Sequence, residues 1–123
     1  MIATARALQE FFSGFGIPAY NENTVPKDAE PPYITYPLRE PEWNQATSFY
    51  ANVYYRNAES NRDSLEKADE IVRAIGDGLK LPVTGGWLVL WPETPLIQAM
   101  PPNGDVRAAY INLSINAYHM PGV

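Results

Sequence analysis

Ser60 to Lys80, SNRDSLEKADEIVRAIGDGLK, is the stretch around which the rest of the chain is organised. At about 100° per residue, Leu65, Ala68, Ile71, Val72, Ile75 and Leu79 fall within roughly a third of a helical wheel. Arg62, Asp63, Glu66, Lys67, Asp69, Glu70, Arg73 and Asp77 take the opposite side, so the stretch reads as a surface helix with one buried stripe. Ser60, with Asp63 three residues on, is a weak form of the capping box. Gly76 and Gly78, with Pro82 just beyond, mark the end. Asp63–Lys67 and Asp69–Arg73 are acid-first i,i+4 pairs, each stabilising by roughly 0.3 kcal/mol. An apolar stripe of this kind needs a sheet to cover.

The flanking segments supply one. Ala46 to Arg56 alternates, with Phe49, Ala51, Val53 and Tyr55 on one side and Ser48, Tyr50, Asn52, Tyr54 and Arg56 on the other. Val106 to His119 does the same, with Ile111, Leu113, Ile115 and Ala117 inward and Tyr110, Asn112, Ser114, Asn116 and Tyr118 outward. Trp87 to Trp91 is apolar on both sides, which suggests a strand covered on both faces or a helix-free interface. Pro92-Glu93-Thr94-Pro95 interrupts that run, and Leu96 to Met100 resumes as a weaker strand. Pro101-Pro102-Asn103-Gly104 is a hairpin turn. Tyr33 to Leu38 reads as a short first strand, in which Pro37 lacks an amide donor and so marks a sheet edge or the end of a ladder.

The remaining pieces are a helix and loops. Ala5, Leu8, Phe11, Phe12 and Phe15 share one face of Ile2 to Ser13, and Gly14, Gly16 and Pro18 stop it. Asn21 to Pro32 is polar and proline-bearing, an exposed loop. Arg39 to Gln45 is a turn carrying Trp43. The order α–β–β–α–β–β–β predicts one α+β domain over residues 1–123, with two helices on one face of a mainly antiparallel sheet of four to five strands.

Composition narrows the function. The chain has 123 residues, 46% apolar and 19% charged, within the range of a folded globular domain. There is no Cys, which removes disulfides, thiolate nucleophiles and Cys-bound metals. No apolar run approaches the length of a membrane span, and no basic n-region leads into an apolar run, so a secretion signal is not expected. Net charge is −5 and the pI about 4.7, against the basic surface that grips phosphate backbones.

No catalytic, cofactor or metal site is expected. His119 is the only histidine and reads as a surface residue without partners. Glu66, Asp69 and Glu70 read as a solvated helix face. Ser64 and Lys67 make an S-x-x-K string without the accompanying motifs of serine acylases. The Gly76-Asp77-Gly78 and Gly85-Gly86 turns lack the context of a phosphate loop. What remains is aromatic. Tyrosines sit on the polar faces of the two long strands, and Tyr and Trp favour protein interfaces. Two helices cover one face of the sheet and leave the other for a neighbouring subunit. Trp43, Tyr50, Tyr54, Trp87, Trp91 and Tyr110 are the candidate interface residues, with the Arg39–Gln45 turn and the Pro92–Pro102 region as contact segments.

Gly16-Ile17-Pro18-Ala19-Tyr20, Val25-Pro26 and Pro32-Tyr33-Ile34-Thr35-Tyr36, followed by the long strand and the Ser60–Lys80 helix, resemble the small neck proteins of tailed bacteriophages. Within these the chain is similar to the tail terminator group, also described as minor capsid or head–tail joining proteins of phage and prophage modules. Arg107 to Leu113 resembles that group's final strand. The resemblance implies a structural virion protein of the neck, assembled in the bacterial host cytoplasm. It implies a homo-oligomeric ring, typically of six copies, that ends tail-tube growth and docks the tail on the head connector. Its partners are then tail-tube and connector proteins, and DNA passes through without being held. Two other readings stand beside this one. The first is another head-completion or adaptor role. The second is a small ligand-binding or enzymatic domain, which a deep cavity with convergent polar groups would favour.

Overall fold

The long alternating strand predicted over residues 46–56 is the middle of the sheet. The computed structural model describes residues 2–41 and 43–119. Its strands are β1 (Ala19–Asn21), β2 (Tyr33–Tyr36), β3 (Ala46–Arg56), β4 (Leu79–Val83), β5 (Gly86–Ala99) and β6 (Val106–His119). They lie side by side in the order β1-β2-β3-β6-β5-β4. β3 and β6 pair antiparallel over the full length of β3, from Ala46 opposite Asn116 to Arg56 opposite Val106. That register puts Phe49, Ala51 and Val53 on the same side as Ala109, Ile111, Leu113 and Ile115, and all seven are buried. Leu88 and Leu90 join them from β5, opposite Ala117 and Ile115.

Two helices fill the inside of the curl. α2 (Arg62–Ile75) lies across β3, β6 and β5 and contributes Ala68, Ile71 and Ile75 to the core. α1 (Ile2–Phe12), prolonged by a 3-10 turn at Ser13–Phe15, packs against both β1 and β4, the two edges of the sheet. Leu8 and Phe12 of α1 are fully buried. The Phe12 ring stacks on Tyr36 at 4.9 Å and faces Phe49 at 6.3 Å. Because one helix bridges both edges, the sheet must bend around it, and the result is a curled half-barrel.

This corrects the predicted architecture. The sheet has six strands and is mixed and curled, so it is not a four- to five-stranded antiparallel layer under two helices. Three local effects explain the difference. First, β1 is only three residues long and buries a single side chain, Ala19, too short a run for periodicity to show. It pairs parallel to β2, and the ladder is extended by hydrogen bonds from Ile34 to the Pro18 carbonyl and from Glu22 to the Tyr36 carbonyl, both 2.8 Å. β2 is therefore flanked on both sides, and it ends before Pro37.

Second, α2 ends at Ile75 and not at Lys80. Gly76 takes φ 60° and ψ −139°, which a side chain would resist, and the chain then turns into β4. Leu79, Leu81 and Val83 pack against the core with strand periodicity. Leu79 fits both a helical stripe and an alternating strand, which is why the helix was read too long. Third, β5 runs unbroken through Pro92 and Pro95, and a register shift between Pro92 and Ile97 absorbs the prolines.

Charged groups behave as short-range ties. Arg73 pairs with Asp69 at 2.9 Å as the spacing predicts. Lys67 does not turn to Asp63; its Nζ donates to the Phe15 carbonyl at 2.8 Å and pairs with Glu70 at 3.1 Å. Ser64 is buried and donates to the Asn61 carbonyl at 3.0 Å. Both members of the S-x-x-K string are thus committed to backbone carbonyls that hold α2 in place. The side chain of His119 lies outside the described residues.

Candidate functional site

The pleat that buries Phe49, Ile111 and Leu90 sends their sequence neighbours to the outer, convex face. Among the described residues no helix lies on that face, because α1 and α2 both join the core within the curl. Its side chains form two aromatic groups separated by a polar strip.

The first group crosses β1, β2, β3 and β6. Tyr33 and Tyr54 stand directly opposite one another with ring centroids 5.1 Å apart, and Tyr20 meets Tyr33 edge-on at 5.8 Å. Tyr50 faces Asn112 in the β3–β6 register, yet its ring stacks on Tyr110, its diagonal neighbour, at 5.5 Å. Diagonal contact of this kind needs long flat side chains. Arg39 lies 5.4 Å over the Tyr50 ring and donates to the Ser48 carbonyl at 2.7 Å. The Tyr50 hydroxyl donates to Glu22 at 2.6 and 2.8 Å. That hydrogen bond to a carboxylate, with some burial, holds the Tyr50 phenol above its usual range. Burial, followed by the neighbouring Tyr54, raises Tyr33 likewise. At the end of this group Arg56 holds Glu30 at 2.6 Å and Asp105 at 2.8 Å.

The second group lies on β4, β5 and β6. Trp87 stands opposite Tyr118, and Trp91 opposite Ser114. With Val89, Tyr118, Gly78 and Lys80 they line an open groove of about 560 Å³. Lys80 sits 4.9 Å over the Trp87 ring, and Asp77 stands at the rim. Gly78 lies under the Trp91 ring: a Cβ there would stand 2.7 Å from a ring carbon, so any other residue would push the indole aside. Trp91 and Tyr118, at the two sides of this groove, remain 37% exposed, which is high for large apolar side chains.

Between the groups run Asn112, Ser114 and the bulged segment 93–96, where Asn112 donates to the Thr94 carbonyl at 3.3 Å. Of the six candidate residues, Tyr50, Tyr54 and Tyr110 fall in the first group and Trp87 and Trp91 in the second. Trp43 belongs to neither. It makes a one-residue bridge to Ala117, and its ring lies against the Gly85–Gly86 turn at the end of the sheet, where it is 46% exposed. Sequence reading passed over Gly78, Lys80 and Tyr118. Tyr118 was visible in the alternation of β6, whereas Gly78 was absorbed into the misread helix end.

A second concavity of about 650 Å³ lies between α1 and β4, lined by Phe11, Leu81 and Val83 with Arg6 and Glu10 at its rim. Among the described residues no group of three or more His, Cys, Asp or Glu side chains could hold a metal ion. No helix among them is long and apolar enough to cross a membrane. No protein-family model matches the chain, and no curated protein matches it.

Proposed function

We propose that this protein is a structural assembly subunit whose outer sheet face meets other protein chains, and that it serves in the neck of a tailed phage or prophage particle as a tail terminator. The observation that carries the assembly reading is the uncovered face itself. Its aromatics include Trp91 and Tyr118, both exposed and lining one groove with Trp87, and exposed apolar patches on such a face mark interaction sites. Aromatic anchors beside charged rims are also the composition of interface centres. The phage role rests on the resemblance of Gly16–Tyr20, Pro32–Tyr36 and Arg107–Leu113 to neck proteins, and with it come the ring, the tail-tube and connector partners and the virion location.

A non-enzymatic role accords with the hydrogen bonding. Ser64 and Lys67 are bound to backbone carbonyls, and Tyr50 is bound to Glu22, so these polar groups serve the fold. The groove at Trp87 is open and mainly apolar, where a small-molecule site would bring several polar groups together around an enclosed ligand. The acidic balance suits a passage that lets DNA slide, since few cations are offered to its phosphates.

Negative-stain imaging of the purified protein tests the proposal. Annular particles with an axial channel are expected. A field of single subunits of about 13.7 kDa, too small to resolve as rings, would contradict it.

A further inference from the structure

β1 and β2 are parallel neighbours, so the chain between them must run from the end of one strand back to the start of the other across a face of the sheet. That crossing is residues 22–32, and it contains no helix. The inner face is filled by Ile34, Tyr36 and Phe12, which leaves the outer face for the crossing. Thr35 records its passage. It stands opposite Asn52 and beside Tyr20, on the pleat away from the core residues Ile34 and Val53, yet it is only 5% exposed. Val25 and Ala29, the apolar side chains of the crossing apart from its prolines, are half-buried.

Two carboxylates fasten the crossing, one near each end. Glu22 accepts from the Tyr50 hydroxyl at 2.6 and 2.8 Å, and Glu30 pairs with Arg56 at 2.6 Å. Tyr50 and Arg56 lie on the same outward side of β3, about 20 Å apart at ~3.3 Å per strand residue. The chain from Glu22 to Glu30 reaches about 27 Å at full extension. A turn within it, closed by the Ala29 amide on the Pro26 carbonyl at 3.0 Å, takes up much of the difference. The crossing is therefore drawn out along β3 with little slack.

From this placement we infer that residues 22–32 are a strap latched onto β3, which opens as a unit and uncovers Thr35 and the Tyr33–Tyr54 pair while the sheet beneath stays folded. The inference does not rest on the assembly reading. The bonding argues for opening. The Glu22 amide still extends the ladder to the Tyr36 carbonyl, but beyond it the strap's backbone bonds close local turns, Thr24 to Asn21 and Ala29 to Pro26. Side chains hold it to β3, and segments of this kind open at a fraction of the global unfolding energy. The two latches differ in kind. Tyr50–Glu22 is a charge-assisted hydrogen bond from a neutral phenol. Glu30–Arg56 is an ion pair with Glu30 71% exposed, which salt weakens. The Glu30 end is thus the first to release and the Glu22 end the stronger hold.

Trypsin cleavage after Lys27, the one basic residue of the strap, reads the opening on the full chain. A protease must draw several residues off the folded surface, and with slow cleavage the rate tracks the open population. Cleavage after Arg73 in α2 is the internal standard for global unfolding. Tyr50→Phe keeps the ring and removes the latch hydroxyl, and is expected to speed cleavage at Lys27 about tenfold or more. Glu30→Gln leaves Arg56 with Asp105 and is expected to speed it about two- to fivefold at low salt. In about 1 M salt that second effect should vanish, because the wild-type pair is already screened. Cleavage at Arg73 should match wild type in both variants. Equal rates at Lys27 in wild type and Tyr50→Phe would overturn the strap. So would rates at Lys27 and Arg73 that rise in step, since the opening would then be unfolding of the whole domain.

Discussion

Phe12 is the side chain through which α1 holds the curl closed, so Phe12→Ala is the perturbation of greatest consequence for the fold. Phe12 is fully buried and stacked on Tyr36, beside Phe49, and truncating such a phenylalanine costs about 3–5 kcal/mol in lost transfer energy and cavity. A chain of this length has roughly 6–18 kcal/mol of stability at ~0.05–0.15 kcal/mol per residue. Its unfolding entropy is about 0.26 kcal/mol per kelvin at ~2.1 cal/mol/K per residue. A loss near 4 kcal/mol then lowers the melting temperature by about 15 °C. Phe11, half-buried and touching Phe12 and Phe15 edge-on, serves as the control, and Phe11→Ala should lose about half as much. Calorimetry at one fixed protein concentration reads both, since self-association would make the midpoint concentration-dependent. A drop below about 5 °C for Phe12→Ala would show that α1 lies outside the cooperative core, and the explanation of the curled sheet would fail with it.

Other expectations follow from the same structure. Gly86→Ala sets a Cβ 1.9 Å from the Tyr118 carbonyl oxygen, so the β5–β6 pairing must shift at a cost of about 1–3 kcal/mol or more. Gly14→Ala, with nothing within 4 Å, should melt within a degree or two of wild type. Equal melting of the two variants would refute the register at Gly86. Alkaline pH should destabilise the fold. Burial raises Tyr33, Tyr36 and Tyr55, and the Glu22 hydrogen bond raises Tyr50, all above the unfolded value of 10.0. The folded state therefore keeps protons that the unfolded state releases. The stabilisation is full below pH 10 and is lost as pH climbs through the folded values. Ultraviolet titration of the phenolates should show part of the eight tyrosines ionising late; a single transition at the free-tyrosine position would refute the burial of this group.

The parts of the fold legible in the sequence were those with a long period. The α2 stripe and the alternations of β3 and β6 each repeat often enough to point to one face, and the structure places Ala68, Ile71, Phe49, Ile111 and Leu113 on that face. β1 is defined by its neighbour β2, and nothing within Ala19–Asn21 announces it. β4 was hidden because Leu79 satisfies two periods at once, and the break at Gly76 had to be weighed against a stripe that looked continuous. The prolines of β5 predict an interruption between two runs, yet the strand continues through them by a register shift opposite Asn112. For the candidate site, alternation alone put Tyr50, Tyr54 and Tyr110 on a common surface. Gly78 is visible only from the place of Trp91 against it, a contact between the turn before β4 and the middle of β5. Trp43 was grouped with the other aromatics because of its type, and its place at the end of the sheet depends on a bridge to Ala117 that no local pattern encodes.

The central claim is that the uncovered aromatic face makes this chain an assembling subunit, and the native mass of the wild-type protein at micromolar concentration tests it most directly. A ring gives one dominant species at a fixed multiple of 13.7 kDa that does not change on moderate dilution. A single species at 13.7 kDa throughout would contradict the claim.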